Sequence, residues 1–68
     1  MATLRDIAAA TLRLRERTGD RTIGTRVRGG MVQIVRVTYD ATGKATVEAL
    51  SPYAPAGWIA HRLDIMGK

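Results

Sequence analysis

The chain has 68 residues, two Tyr, one Trp, no Phe and no Cys, so it makes one domain (1–68) with a thin core that association would help to bury. Without Cys there are no disulfides or thiolate metal sites, and no apolar run nears the roughly 18 residues of a membrane span. The formal charge is +5; residues 1–36 carry eight Arg against Asp6, Glu16 and Asp20, while residues 37–68 balance Lys44, Arg62 and Lys68 against Asp40, Glu48 and Asp64.

Thr3 is placed to cap a first helix, with Asp6 answering it three residues on. Leu4, Ile7, Ala8, Thr11 and Leu14 share one helical face, flanked by Leu12. Gly19 offers a left-handed stop. Arg5 and Asp6 interrupt any signal-peptide core, so a cytoplasmic protein is expected.

The stretch from Ile23 to Leu50 reads as three antiparallel strands. In Asp40-Ala41-Thr42-Gly43, Gly43 suits the left-handed residue of a three-residue hairpin with a bulge. That register sets Tyr39, Val37 and Val35 beside Ala45, Val47 and Ala49. At Gly29-Gly30 a two-residue turn is the strongest local reading. It places Arg26 and Arg28 with Val35 and Val37. A loop of Arg28-Gly29-Gly30 instead aligns Val27, Thr25 and Ile23 with Met31, Gln33 and Val35, and keeps one apolar face. The second register is therefore expected. Its core face is Ile23, Val27, Met31, Val35, Val37, Tyr39, Ala45, Val47 and Ala49. Arg26, Arg36, Thr38, Thr46 and Glu48 fall on the other face, with Val32, Ile34 and Leu50 at one end.

Pro52 and Pro55 stiffen the connection to a second helix, where either suits the first turn. Ala56, Ile59, Ala60, Leu63 and Met66 form its apolar stripe; Trp58 and Ile65 lie on the other side. The expected fold is α+β: helix, three-stranded antiparallel meander, helix (αβββα), in two layers. This order resembles the double-stranded RNA-binding domain in topology alone. Pro55-Ala56-Gly57-Trp58 stands where that family opens its second helix with lysines. Arg28-Gly29-Gly30 stands in place of its Gly-Pro-His-type loop.

Candidate chemistry is sparse. His61 and Asp64 share a helix side but make too few ligands for a metal, and Ser51, the only Ser, is the one serine nucleophile on offer to them; a surface histidine is expected. Thr42-Gly43-Lys44 lacks the upstream glycine and the following helix of a phosphate loop. A single Arg28-Gly29-Gly30 between apolar alternations is a turn rather than an RNA-binding tail motif. No enzyme activity, metal or cofactor is expected.

Two binding readings remain. Nine of the eleven cations are Arg, whose planar fork suits phosphate or carboxylate. Arg13, Arg17, Arg21, Arg26, Arg28 and Arg36 are the candidates for contacting DNA or RNA, or an acidic protein surface. Alternatively, Val32, Ile34, Leu50, Trp58 and Ile65 form an apolar protein interface. The protein is then a small adaptor, or an inhibitor of the phage or mobile-element type, anti-CRISPR-like in size. Two open sheet edges lead to the further expectation of a homodimer.

Overall fold

The computed structural model describes residues 3–66; Lys68, counted in the charge above, lies outside them. The elements follow in order: α1 (Leu4–Thr18), β1 (Ile23–Arg28), β2 (Met31–Tyr39), β3 (Ala45–Ala49) and α2 (Ala56–Ile65). The strands form one antiparallel sheet in the order β1-β2-β3. Both helices pack on one of its faces, giving the expected two-layer αβββα architecture.

Helix α1 begins at a reciprocal cap. The Thr3 amide donates to Asp6 Oδ2 at 2.8 Å, and the Asp6 amide donates to Thr3 Oγ1 at 3.4 Å. It ends at Gly19, whose φ of +73° suits glycine and whose amide donates to the Arg15 carbonyl. The buried stripe is Ile7, Ala10, Thr11 and Leu14. Leu4, Ala8 and Leu12 remain exposed, so the contact face is rotated slightly from the expected one. Buried Thr11 satisfies its hydroxyl by donating to the Ile7 carbonyl. In α2, Ile59 and Leu63 are fully buried, Ala56, Ala60 and Met66 pack beside the core, and Trp58 and Ile65 stay exposed.

The β2–β3 hairpin has the expected register, Tyr39 opposite Ala45 and Val37 opposite Val47, with Gly43 at φ +83°. The β1–β2 hairpin does not. It closes through a two-residue turn with Gly29 and Gly30 both at positive φ, pairing Arg28 with Met31, Val27 with Val32 and Ile23 with Arg36. Such a turn matches the right-handed strand twist, and glycine adopts both its conformations without strain. The one-residue difference moves all of β1 to the other side of β2's pleat.

The core face changes accordingly. Ile23, Val32 and Ile34 bury against Ile7, Ala10, Leu14, Ile59 and Leu63, with Leu50 packed alongside. Val32, Ile34 and Leu50 therefore face the helices, and the expected apolar interface built on them is not a surface. Burying each of the larger side chains contributes about 1.5–3 kcal/mol. Met31, Val37, Tyr39, Ala45, Val47 and Ala49, expected in the core, lie on the face away from the helices. Val27 keeps the helix side but extends past the packed region and is exposed.

The Pro-rich connection prolongs the sheet. The Leu50 amide donates to the Ile34 carbonyl, and Val32 and Ala54 exchange backbone hydrogen bonds at 2.8 and 2.9 Å. Between them the chain bulges, and Ser51 Oγ accepts the Ile34 amide proton at 2.9 Å in place of a backbone carbonyl. The central strand thus keeps its polar groups paired on both sides.

Candidate binding surface on the second face of the sheet

The six arginines expected to contact nucleic acid are spread over the molecule. Arg13 and Arg17 project from α1 towards α2. Arg13 forms a forked ion pair with Asp64 at 3.0–3.2 Å. Arg17 Nη2 donates to the carbonyls of Leu63, Asp64 and Met66, capping the negative end of α2. Arg36 lies on the helix side of β2, bonded to Thr22 Oγ1 and Asp20 Oδ2. Arg21 is exposed in the α1–β1 connection. Only Arg26 and Arg28 share the second face of the sheet, which follows from the strand alternation and the two-residue turn.

Among the described residues no helix covers this second face. Gly24, Arg26 and Arg28 come from β1, Met31, Gln33, Val35, Val37 and Tyr39 from β2, and Ala45, Val47 and Ala49 from β3. None carries a carboxylate. Tyr39 is 71% exposed at one end. From Met31 to Tyr39 the central strand advances by eight residues, about 26 Å.

A built cluster occupies the other end. Arg26 Nε donates to Gln33 Oε1 at 2.7 Å, from one strand to its neighbour. The Arg26 guanidinium also lies over the Tyr53 ring, 5.8 Å from its centroid. Tyr53 reaches it from the far side, because Ala54 next to it pairs with Val32. Gln33 is buried beneath. A guanidinium has five N–H donors. One goes to Gln33; the other four have no acceptor among the described residues. Arg28, one pleat further on, has no polar partner among them either. The arrangement is a pre-set cation with donors to spare beside a second cation and an aromatic ring.

Elsewhere Asp20 and Asp40 serve local structure. The Asp20 carboxyl is held below its ordinary pKa, first by the Thr22 hydroxyl and amide and then by Arg36. The Asp40 carboxyl is lowered by the Thr42 hydroxyl and by the amides of Lys44 and Thr42, which closes the β2–β3 turn. His61 is exposed on α2. No cluster of three or more metal-ligating side chains occurs among the described residues. No helix among them is long and apolar enough to cross a membrane.

Gln33 and Tyr53 belong to no motif of the sequence, and Ser51, its only Ser, is placed as the acceptor for the Ile34 amide. The two-residue turn is the signal that finds Gln33, since it sets that side chain opposite Arg26. Trp58 and Ile65 are exposed as expected, at 46% and 42%. No family model matches the chain, and neither the curated proteins nor the solved structures contain a match to it.

Proposed function

We propose that the protein is a non-enzymatic module that binds single-stranded nucleic acid across the second face of its sheet. The observation that carries this reading is the Arg26–Gln33–Tyr53 cluster. It holds a guanidinium in place with four donors uncommitted, beside Arg28, on a face free of carboxylates. Phosphates meet the arginine forks, and unpaired bases have Tyr39, Tyr53 and the apolar strip of Val37 and Val47 to lie on. A flat sheet suits a splayed single strand better than a duplex groove. Of the six arginines, Arg13, Arg17 and Arg36 are committed to internal contacts, which confines the phosphate contacts to fewer residues.

Fluorescence anisotropy with labelled single-stranded DNA, single-stranded RNA and a duplex, at two salt concentrations, tests this. Single strands should bind more tightly than the duplex. The salt slope should be about −1.4 in log K against log salt, at roughly −0.7 for each of two phosphate contacts. Arg26→Ala should weaken binding and Arg13→Ala should not. Absent binding, or equal loss with both variants, would overturn the reading.

A second reading rests on the exposed Trp58. Together with Ile65 it gives α2 an apolar outer side of the kind that anchors a protein contact. Docking of an adaptor or inhibitor through this side would be abolished by Trp58→Ala and unaffected by Arg26→Ala.

A further inference from the structure

The two edges of the sheet differ. At the β1 edge, Arg15 Nε and Nη2 both donate to the Ile23 carbonyl, at 2.9 and 2.7 Å. Its side chain lies along Gly24, so α1 caps the start of that edge at Ile23, while Val27 further along is exposed. At the β3 edge all five residues are exposed and nothing lies across them among the described residues. The direction of the backbone groups is set by two hydrogen bonds. The Asp40 amide donates to the Lys44 carbonyl, and the Leu50 amide donates to the Ile34 carbonyl. Even-numbered residues of β3 therefore point their backbone groups at β2. Ala45, Val47 and Ala49 point theirs outward, as six unpaired donors and acceptors. The edge holds no proline and no bulge, and Glu48 is the one charge within β3.

We infer that the β3 edge pairs antiparallel with the β3 edge of a second copy, making one six-stranded sheet. Outward groups restrict the registers. A two-fold axis at Glu48 sets that carboxylate against its own copy, which is repulsive. An axis at Val47 leaves Glu48 opposite Thr46. An axis at Thr46 pairs Ala45 with Val47 of the second copy, leaves Ala49 opposite the turn at Gly43, and sets Lys44 against Glu48 at both ends. Charge complementarity selects the axis at Thr46. Paired residues share a face, so both Arg26–Arg28 clusters come to one side of the sheet. Five strand spacings separate β1 from its copy, about 24 Å.

Sedimentation equilibrium over micromolar to millimolar protein is the test, with circular dichroism to confirm folding. Wild type should reach twice the 7.4 kDa chain mass. Lys44→Glu should raise the dimer dissociation constant at least tenfold, and adding Glu48→Lys to it should restore dimerisation. Val47→Pro, which removes only an outward-facing amide, should also give a folded monomer. A wild type that remains at 7.4 kDa throughout would overturn the inference. So would a dimer that withstands both Lys44→Glu and Val47→Pro.

Discussion

Exchanging Val for Thr on each side of the sheet discriminates between the two possible registers. Val32 is 1% exposed among Ile34, Ile59 and Leu63, and Val47 is 48% exposed on the second face. Thr has nearly the shape and strand preference of Val, so the substitution changes little except a methyl for a hydroxyl. At Val32 the hydroxyl enters an apolar site whose neighbours are side chains without acceptors. An unpaired buried hydroxyl costs about 1–3 kcal/mol. At Val47 the hydroxyl meets water, and the change should stay within about 0.5 kcal/mol. A domain of this length has roughly 3–10 kcal/mol of stability in all, so Val32→Thr removes a large fraction of it. With a urea slope of about 1 kcal/mol per molar, the midpoint should fall by about 1–3 M for Val32→Thr and by under about 0.5 M for Val47→Thr. Urea titration followed by circular dichroism measures both. The register with a three-residue first loop puts Val47 inside and Val32 outside, so it requires the reverse order. Finding that order would refute the packing described here.

Further consequences follow from the polar contacts. Ser51→Ala leaves the Ile34 amide without its acceptor, and should cost about 1–3 kcal/mol in the same urea titration. Arg17→Ala removes the donor to two α2 carbonyls and to that of the capping residue Met66, and should cost about 1 kcal/mol, read as faster amide exchange in Leu63–Met66 as well as a lower midpoint. The carboxyls of Asp20 and Asp40 titrate below their ordinary values in the folded chain. Their stabilisation is therefore complete above the ordinary carboxylate range and is lost as pH falls through the folded values. The urea midpoint should drop on acidification below about pH 4, the unfolded carboxylate range, and Thr42→Val should reduce that drop.

Local signals were the reliable ones in this chain. Thr3 with Asp6, Gly19, and Gly43 each place an element boundary through one backbone requirement, and the structure uses all three. The first hairpin departs from the expected register because β2 is apolar on both parities. Val32 and Ile34 alternate with Met31, Val35 and Val37, so hydrophobic alternation cannot choose its inner face. Turn chemistry decides instead, and Gly29-Gly30 specifies a two-residue turn. The arginines show a different limit. Arg13 meets Asp64 across 51 residues and Arg17 meets the end of α2. Counting charges along a chain does not reveal which of them are spent on such contacts. Arg26 differs because its partner Gln33 follows from the hairpin register alone.

The central claim is that the second face of the sheet is the binding surface. Amide chemical-shift mapping during titration with a short single-stranded oligonucleotide tests it most directly. Shifts are expected at Arg26, Arg28, Gln33, Val37 and Tyr53, with the amides around Arg13, Arg17 and Trp58 unmoved. Shifts centred on α1 or on Trp58, with the second face silent, would contradict it.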